Sequence, residues 1–194
     1  MVIIKKRSGA GSWVVWNKDL ADNYAFEGMD NTGAALNGGS PISKYVDAVS
    51  STLVTLGDAG ENNADGGTYI MYCWRSIDGY SKVGSYVGNG NANGTFVYTG
   101  FRPAWVMVKH LGAAESWWIW DNKRNPISGV NNRSAWDSSG NETTNVSTGA
   151  DYLEFHANGV KHRGLGGGAN DSGDGGAYLI MAFADIPFKY ANAR

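Results

Sequence analysis

The stretch SWVVWNKD at residues 12–19 recurs as SWWIWDNK at residues 116–123, and its flanks recur with it. VIIKK (Val2–Lys6) lies 104 positions before VMVKH (Val106–His110). Trp13 lies the same distance before Trp117, so Val2 through Lys18 aligns with its later counterpart without a gap. DGGTYIMYCW (Asp65–Trp74) returns 109 positions on as DGGAYLIMAF (Asp174–Phe183). Two matches in the same order at similar spacing read as an internal duplication. The division this implies is a first β module at residues 1–81 and a second at 82–194. Trp13 with Trp117, and Tyr69 with Tyr178, are the equivalent core positions.

Both copies have the pattern of strands. Short runs rich in Val, Ile, Trp and Tyr, bounded by Gly, Asn, Asp or Ser, fall at Val2–Lys6, Ser12–Asn17, Thr52–Leu56, Thr68–Arg75 and Gly94–Tyr98. They continue at Ala104–Lys109, Ser116–Asp121, Tyr152–His156 and Ala177–Ala184. GAGS, GNGNANG, GAAES, HANGVK and ANDSGDGG between them are turn signals, with a tight turn placed at Asn158–Gly159. Ile42–Val49 is the one weak helical candidate. Strands at this spacing with no helices between them predict an all-β fold, an antiparallel, jelly-roll-like β-sandwich of two related modules packed together.

Alternation sends Trp13 and Val15 to one face of their strand and Val14 and Trp16 to the other. In the second copy Trp117 and Ile119 oppose Trp118 and Trp120. Strands apolar on both faces need two partners. The expectation is that Trp13/Val15 and Trp117/Ile119 form the buried face of each module. Val14/Trp16 and Trp118/Trp120 then meet the other module or a neighbouring subunit. The second copy is preceded by SYVGNGNANGTFVYTGFRPA, read as a hairpin leading into the strand at Trp105; the first copy has no such preamble, which leaves a strand edge to be covered.

Composition supports the same class. Of 194 residues, 42 % are hydrophobic and only 18 % charged, with 28 Gly, 8 Trp and 10 Tyr, the balance of a turn-rich β protein rather than a helical bundle. A net charge of −2 with no basic run gives no footprint for nucleic acid or a membrane surface. No apolar run is long enough to span a bilayer. The basic residues of Met1–Arg7 are not followed by an apolar region or a cleavage site, so no secretion signal is read. One cysteine excludes an intrachain disulfide and a cysteine zinc cluster, and Cys73, inside an apolar strand, reads as a core thiol.

The chemistry-bearing residues form no catalytic pattern. His110, His156 and His162 show no H-E-x-x-H spacing; His156 and His162 could meet across a hairpin, but two histidines fall short of a zinc site and read as surface or strand-end residues. There is no G-x-S-x-G elbow, and GLGGGAN lacks the Lys-Ser/Thr and the helix of a phosphate loop. ENNADGG and NDSGDGG recur at one place in both copies and carry Asx oxygens, yet not the EF-hand pattern; Asx residues before Gly-Gly make turns without an ion. The sequons at Asn93, Asn132, Asn141, Asn145 and Asn170 read as polar loop sequence. No metal or cofactor is expected, and no enzyme. Aromatics beside Asn and Asp also stack on sugars, so Trp16, Trp118, Trp120 and Asp121 are candidates for an interface or a glycan contact in a lectin-like module.

SKVGSYVGNGNANGTFVYTGFRPAWVMVKH, then SWWIWDNKRNP and GGAYLIMAFADIPFK, resembles a recurring module of tailed-bacteriophage virion proteins, and LVTLGDAGENNADGGTYIMYCW looks like its matching segment in the first copy. The resemblance covers nearly the whole chain and is strongest over residues 66–126 and 175–189. It implies a non-enzymatic virion component, in a tail fibre, a receptor-binding tip or a capsid decoration, assembled in the host bacterial cytoplasm. The implied partners are other virion proteins, further copies of the chain (a trimer, by the threefold habit of phage fibres) and a host surface glycan. The family continues upstream from a G-F-x-P hairpin such as Gly100–Pro103, where this sequence begins at Met1.

Overall fold

The computed structural model describes residues 1–20, 24–29, 32–33, 36–37, 45–124, 131–135, 143–145, 152–164, 168–173 and 175–185. Residues 42–44 of the helical candidate, Asn141 and Asp174 lie outside them. The fold is all-β and antiparallel, with one short helix among the described residues, α1 (Gly60–Asn63).

In the first half β1 (Val2–Lys6), β2 (Trp13–Trp16), β3 (Tyr24–Glu27), β4 (Leu36–Asn37) and β7 (Tyr69–Cys73) form a five-stranded sheet in the order β4-β3-β2-β1-β7. A separate hairpin pairs β5 (Val46–Val49) with β6 (Val54–Leu56). In the second half β8 (Ser81–Val87), β10 (Pro103–His110), β11 (Trp118–Asp121), β12 (Asn131–Ala135), β13 (Thr143–Asn145) and β16 (Ala177–Ala184) form a sheet in the order β13-β12-β11-β10-β16-β8. A three-stranded sheet joins β14 (Tyr152–His156), β15 (Gly159–Arg163) and β9 (Phe96–Tyr98).

The central strands of the two large sheets have the same register. Val2 pairs with Trp16 and Val106 with Trp120; Ile4 pairs with Val14 and Val108 with Trp118. On the other side Ile3 pairs with Tyr72 and Met107 with Met181, and Lys6 pairs with Tyr69 as His110 does with Tyr178. Shifting residue numbers by 104 on β1 and β2, and by 109 on β7, turns the first set of pairs into the second. The apolar repeat visible in the sequence is therefore a repeat of hydrogen-bonded neighbours.

The two-sided strands are accounted for by three cores. Ile3, Val15 and Phe26 of the first sheet and Met107, Ile119, Leu179 and Met181 of the second share one buried cluster, with Trp117 wholly enclosed in it. The two large sheets thus pack on each other through this face. Val2, Ile4 and Val14 turn the other way, onto Tyr45, Ala59 and the β5–β6 hairpin. Val106, Val108, Trp120, Tyr178 and Ile180 turn toward Val97, Leu153 and Val160 of the three-stranded sheet. The expected assignment of faces is reversed: Trp13/Val15 and Trp117/Ile119 lie on the face shared between halves, and Val14/Trp16 and Trp118/Trp120 face each half's own small sheet. Period two fixes which residues share a face but carries no sign of which partner that face meets.

Four further expectations change. Val46–Val49 is a strand, not helix. The residues before Trp105 are not one hairpin, because β8 pairs with β16 while β9 pairs with β15. The turn of HANGVK sits at Ala157–Asn158, since His156 pairs with Gly159. Gly159 is required by contact rather than by its torsion: a Cβ there would stand 2.3 Å from the Val97 carbonyl oxygen. Cys73 is exposed, not a core thiol. Its counterpart by pairing, Ala182, is buried beneath β8, which the first half lacks among its described residues.

Candidate functional site

The repeated core residues hold the loops and the two halves in place. The Tyr69 hydroxyl donates to the Gly60 carbonyl (2.8 Å) and accepts from the Ala64 amide (2.9 Å). The Tyr178 hydroxyl accepts from the Asp171 amide (2.9 Å). Each tyrosine ties its strand to the Gly-rich loop before it. Trp117 meets Phe26 edge to face at 5.0 Å and donates its indole N–H to the Gly28 carbonyl (3.1 Å), linking the halves. Its repeat partner Trp13 is partly buried at the margin of the same cluster, with the Lys5 ammonium 5.7 Å from its ring. Lys109, the counterpart of Lys5, is buried; its ammonium lies 5.2 Å from the Phe26 ring and donates to the carbonyls of Thr32, His110 and Ala113.

The acidic loops act through buried asparagines. Asn170 accepts from the Asn89 and Thr95 amides and donates to Asn89 Oδ1 and to the carbonyls of Asn91 and Gly164. Asn62 donates to the Tyr45 carbonyl. Both side chains bond chiefly to backbone, as an Asx residue in a tight loop does. The described residues contain no group of three His, Cys, Asp or Glu placed to hold a metal ion.

Two histidines expected at the surface are buried. His110 Nδ1 accepts from the Gly112 and Ala113 amides (3.0 and 2.9 Å), and its ring meets Tyr178 edge to face. His162 stacks on Tyr86 at 4.7 Å and touches Trp120 edge to face. Neither of its ring nitrogens has a hydrogen-bond partner, and burial pushes its pKa down to about 3. It is a neutral packing residue. His156 does not meet it: Leu153 stands across from His162, and His156 pairs with Gly159.

Of the residues expected to offer an interface or a sugar contact, Trp120 is wholly buried and so is not available for either. Trp118 is partly buried against the second half's own core, and Trp16 against the first half's. Asp121 closes a turn, accepting from the Lys123 and Arg124 amides and pairing with the Arg124 side chain. Burial alone raises its pKa, but the hydrogen bonds from Arg124 and Lys123 outweigh that and hold it below the ordinary value.

Two clefts flank β7. Where the two large sheets meet, a cleft of about 280 Å³ is lined by Trp13, Tyr72, Trp74, Trp105, Met181 and Phe183 among others, all of them apolar or aromatic. Tyr72 stacks on Trp74 at 5.8 Å, and Trp105 meets Phe183 at 5.7 Å. On the opposite face a second cleft of about 440 Å³ runs between β7 and the β5–β6 hairpin, past Cys73, Trp16 and Val54, with Val49 and Leu53 exposed on its rim. The aromatics of the first cleft were present in the sequence, but only the packing of the halves gathers them. A sugar site needs several hydrogen-bonding groups beside its stacking ring, and the described residues of this cleft include no carboxylate, amide or cationic side chain.

These features define a class: an all-β protein of two register-matched halves, with an apolar, aromatic cleft where the two large sheets meet. The chain belongs to the family described as a domain of unknown function (DUF7483), whose profile matches residues 1–187 in one span. Comparison with curated proteins and with solved structures finds no match. No helix among the described residues is long and apolar enough to cross a membrane.

Proposed function

We propose that this chain is a non-enzymatic structural component of a tailed-phage particle, built by internal duplication of one β module and acting by assembly with other virion proteins. The observation that carries the assembly role is the edge of β7, which no described strand covers, with an apolar cleft on one side and a mixed apolar and polar cleft on the other. Monomeric proteins cover or charge such edges, and an uncovered one flanked by large apolar side chains is built to be paired. The phage assignment is supported by the resemblance over residues 66–126 and 175–189. A tail fibre, a receptor-binding tip and a capsid decoration all satisfy both supports. The test is to purify particles by density gradient from a host producing the full gene complement and to probe them with antibody against this chain. A fixed copy number per particle and gold label at one location support the reading. Particles that are complete and infectious without the chain refute it.

A further inference from the structure

Strand β7 ends the first sheet, and no described strand lies beyond it. Its counterpart β16 is not an edge, because β8 runs along it from Ala177–Val87 to Phe183–Ser81. The difference is measured by exposure: Ile70, Met71 and Tyr72 are 38 %, 44 % and 41 % exposed, whereas Leu179, Ile180 and Met181 beneath β8 are 1 %, 1 % and 3 % exposed. The backbone groups of Trp74 and Thr68 point to β1, as the bonds Trp74 N–H to Met1 O (2.9 Å) and Arg7 N–H to Thr68 O (2.8 Å) fix. By antiparallel alternation those of Tyr69, Met71 and Cys73 point outward, unpaired by β1.

We propose that β7 is the docking edge for an extended segment of a separate polypeptide, which adds antiparallel to it as β8 adds to β16. The second half is the template for this occupant. There Val83, opposite Met181, enters the core shared by the halves, and Tyr86, opposite Tyr178, enters the other. The matched register carries this pattern over. The incoming strand places an aliphatic residue opposite Tyr72, where it reaches the aromatic cleft, and an aromatic residue opposite Tyr69, on the face of the second cleft. Backbone pairing supplies affinity and the two clefts supply specificity. The occupant is thus a strand patterned like Ser81–Val87. The inference rests on the geometry of β7 and stands or falls apart from the phage assignment.

The probe is a fluorescein-labelled synthetic peptide spanning Ser76–Gly88, titrated with the full chain and followed by anisotropy. Saturable one-to-one binding, absent for a scrambled peptide, is expected. Met71→Pro removes an outward N–H without touching a β1 bond, and should weaken binding at least tenfold with the circular dichroism unchanged. Should that variant misfold, Ile70→Lys charges the edge instead and should weaken binding likewise. Hydrogen exchange of the Tyr69, Met71 and Cys73 amides should be fast in the free chain and slowed by the peptide. Each of these results overturns the proposal: no binding to folded chain; binding unaffected by either variant; β7 amides already protected in the free monomer; or protection appearing at β16, which means the peptide has displaced β8. A dimer of the chain that Met71→Pro dissolves makes the occupant a second copy and overturns the separate partner.

Discussion

Mild acid should destabilise this protein through His162. In the folded chain its ring is enclosed between Tyr86 and Trp120, without a hydrogen-bond partner, and its pKa is down to about 3 against an ordinary 6.5. A base whose folded pKa is depressed takes up its proton only on unfolding. The stability it leaves intact above pH 6.5 is therefore lost progressively as the pH falls from there toward 3. At about 1.4 kcal/mol per pH unit, lowering the pH from about 7.5 to 5.0 costs about 2 kcal/mol. That figure hardly depends on the folded pKa, because at pH 5 the folded ring stays neutral for any value well below 5. The assay is urea denaturation at both pH values, on the natural chain and on His162→Phe, which keeps a ring between its neighbours. Contributions from the rest of the chain are common to both proteins and cancel in the comparison. The natural chain should lose about 2 kcal/mol more than the variant, a large part of a stability of about 5–15 kcal/mol. Equal losses, or an imidazole resonance of His162 titrating near 6.5, would refute the reasoning.

Three further changes test the packing. Trp117→Ala opens the core shared by the halves and should cost about 3–5 kcal/mol in urea denaturation. Trp117→Phe should cost less, about 1–3 kcal/mol, chiefly by stranding the Gly28 carbonyl. Asn170→Ala removes the side chain that satisfies the 89–95 loop, and should cost upward of about 2 kcal/mol with faster hydrogen exchange at Asn89 and Thr95. Asp121→Ala should cost about 1 kcal/mol, since the ion pair and turn are only partly buried and solvent screens them. Because its carboxyl is held below the ordinary range, its contribution is present at neutral pH and disappears as the pH falls through the lowered value. Denaturation curves of Asp121→Ala and the natural chain should differ at pH 7 and converge in acid.

How far the sequence could be read depended on whether a feature is local. The repeat of Val, Ile and Trp is a local pattern, and it predicted the strands β1, β2, β7, β10, β11 and β16, whose pairings then follow one register. Strands held by partners rather than by their own side chains were missed. NNRSA at β12 is polar in all but its last residue, and β4 is two residues long. The direction of the faces was also illegible, because a strand apolar on both sides is symmetric until its neighbours are known. Cys73 is exposed for a reason that lies in the other half, where β8 does what nothing described does at β7. Trp120, proposed for contact with a partner, is closed off by a small sheet whose strand β15 was not anticipated, and the same sheet buries His162.

The position of β16 also sets the order of events in synthesis. It lies between β8 and β10, both made long before it, and it is the last described strand to leave the ribosome. Until its eight residues arrive, β8 has no partner among the described strands and β10 is paired only on its β11 side. Pairing over such sequence separations is slow and leaves edges open to misassembly meanwhile. A ribosome stall, a nonsense codon or a protease cut shortly before Ala177 would therefore take out the keystone of the sheet rather than trim its margin.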